Sequence, residues 1–389
     1  MAKMRVVHRG FDGLALSIEA RVPVDLAEEV EVAKRSAEAE RCEVLFSRGG
    51  AEFHLKEYGG KGYAYLLHDG PLGARWSLKK PNLKDPWGVH VQVGSTFLAT
   101  QGLGAARAYI ADTMAALGMR FVARQVSLAR VDFCVDIHGP DFDLCPQNLV
   151  FHSHANRADH EASKAERRSN GGSGRYTSST IGKMPGRQII IYDKRAEILS
   201  AGGGKKDLWW NIWDRNLTRE GLPPLDRHDP QKSRVWRIEA RAGKRLLKDR
   251  WQVRTWADFD AKFGDILAEA FDRIRYTQPD PCDSNRSRWQ DDPIWMLART
   301  AIDDDLKELR SYVEPPKVRE VYREAHARLM EKQVLGSAIS LAALLGTTAD
   351  ALPEALRAIG EGMRDKVQSE RRQAVEKLAS AAGRYRFLG

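Results

Sequence analysis

Cysteine is scarce in this chain of 389 residues: there are four, Cys42, Cys134, Cys145 and Cys282, and no two stand in a C-x-x-C spacing. That excludes a zinc ribbon and a disulfide scaffold, and it suits a reducing compartment. No stretch approaches the roughly 18 consecutive apolar residues that a membrane span needs. The opening MAKMRVVHRGFDG lacks the apolar core of a signal peptide, so a cytoplasmic protein with no membrane partner is expected. No internal repeat is visible. Acid is in deficit too, with 53 Asp and Glu against 62 Lys and Arg, a formal charge of +9. The excess is spread along the chain rather than held in a tail. A basic surface built into the fold favours an acidic polymer, nucleic acid first, although many soluble proteins are mildly basic.

The pattern along the chain is mixed. GLALSIEARVPV (13–24) alternates as a strand and is followed by a helix in DLAEEVEVAKRSAEAE. Short strand-like runs broken by Gly and Pro end in GVHVQVGSTFL, and an amphipathic helix is expected over 104–119. Val126–Ile137, Arg187–Asp193 and Ser233–Ala242 read as strands, and Thr255–Tyr276 as a helix. The polar, Gly-rich span 159–174 reads as a loop. Beyond Pro293 the pattern is helical. An α+β fold is expected: an antiparallel β-sheet core with flanking helices over 1–276, a turn-rich linker over 277–293, and a helical C-terminal region over 294–389.

Three strands have a face that needs explaining. Alternate side chains of a strand share a face. In ARVDFCVDI, Val131, Phe133, Val135 and Ile137 point one way, while Arg130, Asp132, Cys134 and Asp136 point the other. In RVWRIEARA, Arg237, Glu239 and Arg241 lie opposite Trp236, Ile238 and Ala240. In RQIIIYDKRAE, Tyr192 and Lys194 fall together. A half-solvated sheet would account for any one of these. Asp, however, is a poor strand residue, and two of them four apart in an apolar strand suggest either a hard divalent cation or salt bridges to Arg130 or Arg237. A phenol is a weak nucleophile at its ordinary pKa of about 10. A neighbouring cation can lower that value and neutralise an attacked phosphodiester. Attack by tyrosine conserves the bond as a phosphotyrosine, which suits nicking and rejoining.

Taken in order, GVHVQVGS, RVDFCVDI, STIGKMPGRQIIIYDKRAE and RVWRIEARA resemble the replication initiation factor family (Rep_trans type), the rolling-circle initiators of plasmids and phages, with the related relaxases of conjugative elements. The resemblance spans about Gly13 to Tyr276. It implies Tyr192 as the nicking nucleophile, a 5′-phosphotyrosine, and a 3′-OH that primes synthesis. It implies Asp132 and Glu239 as ligands of Mg²⁺ or Mn²⁺, with Asp136 and Glu197 as further acids. Lys194 and Arg237 would contact phosphate or the transition state, and Arg130, Lys183, Arg187 and Arg241 would follow the DNA backbone. The partner would be origin DNA, single-stranded or in a hairpin at the nick, with a host helicase and a second copy of the chain as further candidates. The family often carries an aromatic just before the Gly, where this chain has Thr180 and Ile181 ahead of Gly182; Tyr176 is a rival nucleophile.

Other features admit two uses. His152 and His154 in FHSH are metal ligands or loop histidines, and His138 could approach a metal. Trp209 and Trp210, with Trp213, are candidates for stacking on bases, whereas Trp236 belongs to the core face. SAISLAALLGTTADALPEALRAIG resembles a helix-turn-helix, with packing or dimer contacts the plainer use. Rival functions are a conjugative relaxase with the same chemistry, a metal-dependent nuclease using water, and a non-catalytic DNA-binding regulator.

Overall fold

The structure, a computed structural model, describes residues 4–151, 168–172, 174–200, 204–302 and 313–388. His152, His154 and most of the expected 159–174 loop lie outside the described residues. The first strands are β1 (Arg5–Ile18), β2 (Val44–Arg48), β3 (Ala51–Leu55), β4 (Tyr65–His68), β5 (Ala74–Leu78) and β6 (Val89–Val93). The others are β7 (Val126–His138), β8 (Leu149–Phe151), β9 (Arg168–Gly172), β10 (Arg175–Gly182), β11 (Arg187–Asp193), β12 (Val235–Gly243) and β13 (Ile274–Tyr276). Eleven of them form one sheet in the order β2-β3-β4-β5-β6-β1-β7-β12-β11-β10-β9, and β8 pairs with β13. Every pairing between named strands is antiparallel. The α+β architecture with a helical C-terminal region is therefore the observed one.

The first face of the central strands is apolar, as the alternation requires. Phe133 meets Phe11 edge-on at 5.6 Å, and Phe11 packs on Phe263 of the helix Trp256–Arg273. That helix starts where its sequence says it should: Thr255 and Asp258 form a reciprocal capping box, each accepting the other's backbone N–H. The helical stretch Ser95–Ala116 is broken at Gly102, whose φ of 82° is not helical, so the helix expected over 104–119 follows this kink and ends at Ala116, with a further helical segment before it.

The second face, expected to be half-solvated or metal-filled, is also covered. The tryptophan-rich segment forms the helix Lys205–Arg219, which buries Leu208, Trp209, Trp210, Ile212, Trp213 and Leu217. Asn216 Nδ2 donates to the Val7 carbonyl at 2.7 Å and ties this helix to β1. Behind it, Val318, Val321 and Tyr322 of the long helix Pro315–Leu344 complete a second apolar cluster.

The stretch 277–293, expected to be a linker, is held in place. Thr277 is buried, its N–H donates to the Asn148 carbonyl, and it bridges Asp291. The helix Pro293–Thr300, capped by Asp292 Oδ1 on the Ile294 N–H, buries Ile294, Trp295 and Ala298 in the main core rather than opening the C-terminal helical region. Pro at its first turn hid this continuity, because Pro-rich polar sequence reads as a break. Trp295→Ala should therefore destabilise the sheet domain itself by about 3–5 kcal/mol, measured by urea unfolding monitored on the β-sheet signal.

Candidate active site on the second sheet face

Strand register sets the rows of this face. Tyr192 lies opposite Arg237, Arg237 opposite Asp136, and Asp136 opposite His8, across β11, β12, β7 and β1. One row on, Glu239 faces Cys134, and then Arg241 faces Asp132, which faces Gly13. Two glycines make the geometry possible. A Cβ on Gly13 would stand 2.6 Å from Asp132 Oδ2, so with glycine there the carboxylate keeps its place against β1, and a larger residue would require it to shift. Gly182, at φ 89°, turns the chain from β10 into β11, and a Cβ there would meet the Arg187 carbonyl oxygen at 2.1 Å. Asp12 is the extra residue of a bulge in β1, between partners Phe11 and Gly13.

At the centre lies Arg237, with no exposed surface. Its Nε and Nη2 donate to the two Asp136 oxygens at 2.5 and 2.8 Å, and its Nη1 donates to Asp12 Oδ1 at 2.5 Å. Trp213 Nε1 adds a bond to Asp136 Oδ2 at 2.8 Å. The guanidinium lies 4.1 Å from the centre of the Trp209 ring. Burial opposes ionisation of Asp136, but Arg237 overrides it and holds the carboxyl below its ordinary value. His8, opposite Asp136, is pushed down to about 4 by burial, and its Nε2 has no partner.

Tyr192 sits at the margin of this lattice, partly buried, and its hydroxyl donates to Glu239 Oε2 at 3.3 Å. Burial pushes the phenol well above its ordinary value; Arg237 pulls it down, and Glu239, Asp12 and Asp136 add to the rise. The free phenol is therefore protonated at neutral pH, with a carboxylate beside it as acceptor. Lys194 is buried over the ring of Tyr192, 5.7 Å from its centre, and over Trp209 at 4.9 Å. Burial and Arg237 lower its pKa. Its ammonium is held by Glu197 at 2.6 Å, and Lys205 holds the other Glu197 oxygen at 2.8 Å.

The expected metal acids divide by what their oxygens already do. Asp136 has both oxygens in the buried guanidinium pair, and Glu197 bridges two lysines, so neither fits a metal ion. Asp132 and Glu239 are engaged too, but by arginines that reach the surface. Burial pushes Asp132 up to about 6; Arg130 opposes this, and the charge of Glu239 adds to it. Arg130 chelates Asp132, with its Nε 2.8 Å from Oδ1 and its Nη2 2.5 Å from Oδ2. Arg241 Nε reaches Glu239 Oε1 at 2.6 Å. Both arginines are partly exposed, so their side chains can swing away, and two carboxylates with substrate phosphate and water suffice for Mg²⁺.

Three other expected roles do not survive burial. Trp209 and Trp210 have no exposed ring face and cannot stack on bases in this structure; they pack the helix onto the sheet. Arg237 has its Asp-facing donors committed and no surface for a phosphate, so it positions its neighbours. Lys183 is exposed in the β10–β11 turn, and Arg187 is partly exposed, drawn down to about 10 by burial. Arg130 and Arg241 are the accessible cations of this face, whereas Arg187, expected to follow DNA with them, alternates with Ile189 and Ile191 onto the other face, where Glu269 and Arg273 are its charged neighbours. Tyr176, 42% exposed, is at the start of β10, and His138 Nε2 is taken by the Lys232 carbonyl at 2.7 Å. Asp12, His8 and Trp213 belong to the cluster without having been expected there; an Asp flanked by Gly10 and Gly13 in an apolar strand was the available signal.

No protein-family model matches the chain, and no curated protein matches it. Among solved structures, the Rolling Circle Replication Initiator Protein from Geobacillus stearothermophilus is similar at 15% identity and a TM-score of 0.39, over 79% of this chain and 98% of that one. A likeness so distant carries no weight for function. No helix among the described residues is long and apolar enough to cross a membrane.

Two outcomes follow from the geometry. Arg237→Leu leaves the Asp136 carboxylate buried and unpaired and should cost about 3–5 kcal/mol, much of it recovered in the double variant with Asp136→Leu; urea melts of the three proteins read this. Asp132 is raised in the fold to about 6 from about 3.9 when unfolded, so the folded state binds the extra proton and loses stability as pH rises between these values. Asp132→Asn removes that loss. Its stability relative to the parent chain should increase from pH about 4 to about 6 and then level off.

Proposed function

We propose that this protein is a DNA strand transferase that nicks and rejoins an origin through Tyr192 to start rolling-circle replication. The observation that carries the reading is the Tyr192 hydroxyl donating to Glu239 at 3.3 Å on a sheet face that also carries Arg130 and Arg241. Such a contact is what a general base needs, and free enzymes commonly hold it long. In the proposed step Glu239 takes the phenolic proton as the Tyr192 oxygen attacks phosphorus. The P–O3′ bond breaks, and the leaving oxygen takes up a proton to become the 3′-OH. The chain then holds the DNA as a 5′-phosphotyrosine, and the reverse attack by a 3′-OH rejoins it. Arg237 and Asp136 fix β12, which brings Glu239 beside Tyr192 of the paired strand β11, and Lys194 lies over the Tyr192 ring. Asp132 and Glu239 would hold Mg²⁺ or Mn²⁺, which supplies charge neutralisation at the phosphodiester when bound.

A second reading has its own support. Arg130 on Asp132 and Arg241 on Glu239 satisfy these acids without a metal, as a non-catalytic DNA-binding regulator would require. One assay separates the two. The protein is incubated with Mn²⁺ and supercoiled DNA carrying its own origin, then digested with protease, and DNA ends are examined for an attached peptide. An adduct is expected from the parent chain and from Tyr176→Phe, and none from Tyr192→Phe. Glu239→Gln should slow adduct formation by about a hundredfold or more. Cleavage without an adduct points to hydrolysis, and binding without cleavage to the regulator.

A further inference from the structure

Far along the sheet from Tyr192, another set of side chains has coordination chemistry of its own. His54 of β3 lies opposite His68 of β4 in register, and their rings meet edge-on at 5.3 Å. Glu43, the residue before β2, places Oε2 2.8 Å from His68 Nε2. One ring nitrogen of each histidine and one Glu43 oxygen lie within 4.8 Å of one another, the only such triple of His, Cys, Asp or Glu among the described residues. His54 is buried, and the other two are partly exposed.

The surroundings suit ligation. His54 Nε2 stands 2.9 Å from the Gly383 carbonyl oxygen. A carbonyl can only accept, so Nε2 carries the hydrogen and Nδ1 keeps its lone pair in the neutral ring. Metal-bound imidazoles are commonly tied through their second nitrogen in this way. Lys56 Nζ, 2.9 Å from Glu43 Oε1, is the cation that balances it here. Two imidazoles and a carboxylate suit Zn²⁺ and its first-row neighbours, whereas Mg²⁺ and Ca²⁺ favour oxygen donors throughout.

We propose that Glu43, His54 and His68 bind a divalent first-row transition metal ion, and that this ion fastens the C-terminal end of the chain to the sheet. The end already lies there. Besides the Gly383 carbonyl, the Phe387 ring meets His54 at 4.8 Å, and Arg386 makes two bonds of 2.9 Å to Glu52 of β3. Fixing the His54 ring in a coordination sphere fixes the surface on which Gly383 and Phe387 rest. The site is independent of Tyr192 and of any DNA chemistry.

The full chain, stripped with chelator and dialysed, is titrated with Zn²⁺ against a chromophoric competitor and with Co²⁺ followed by its visible absorption. One ion per chain is expected, with the Co²⁺ spectrum of a low-coordinate nitrogen and oxygen site. His68→Gln and Glu43→Gln should each weaken Zn²⁺ binding by about tenfold or more, while His138→Gln leaves it unchanged. Zinc should also slow amide exchange over 383–388 in the parent chain and fail to do so in His68→Gln. Unchanged circular dichroism of the metal-free variants shows that they fold. Absence of stoichiometric uptake by the parent chain overturns the proposal, and so does equal affinity in both ligand variants.

Discussion

A buried guanidinium organises the second face of this sheet. Removing Arg237 from water costs several kcal/mol, and the structure offsets that with two carboxylates and an indole face. Each partner comes from a different part of the chain: Asp12 from a bulge in β1, Asp136 from the middle of β7, and Trp209 from the helix laid across them. Since a guanidinium is planar and its donors have fixed directions, satisfying all three fixes the register of β1, β7 and β12 at once. The neighbouring row inherits that register, which is why Tyr192 and Glu239 meet.

The same pairing explains which parts could be read in advance. Strand alternation identified the polar faces of β7, β11 and β12, because period-two patterning survives any tertiary arrangement. Whether such a face meets solvent, metal or protein is decided by what packs on it, and that depends on residues far away in sequence. The helix Lys205–Arg219 presents Trp209 and Trp213 to the charged face and turns Trp210 inward as well, so indoles that looked like base-stacking surfaces became wall. Asp136 and Glu197 looked like metal ligands for the same reason: carboxylate spacing is visible in sequence, but the arginine or lysine that claims each oxygen is not. Asp12 escaped notice because a bulge breaks the alternation that would have aligned it with the face. Strands β7, β11 and β12 and the C-terminal helices fell close to their expected places, while the turn-rich stretch 277–293 hid that the helix after it belongs to the main core.

What remains accessible on the face is a narrow set. Asp132 and Glu239 are buried acids whose partners, Arg130 and Arg241, reach the surface. A polyanion arriving there could draw both guanidinium groups onto its phosphates and release both carboxylates in one event. Ligand binding and acid exposure would then be coupled through ordinary ion-pair exchange, with no movement of the backbone.

The strand order has a consequence for how the molecule comes into being. The middle of the sheet joins β1, β7 and β12, drawn from residues 5–18, 126–138 and 235–243. Contacts so distant along the sequence are slow to close, and a nascent chain cannot make them until its third member has left the ribosome. Until then Asp12 and Asp136 lack the guanidinium that neutralises them both. Synthesis as far as Gly243 is thus a checkpoint: the charged face cannot assemble in a shorter nascent chain.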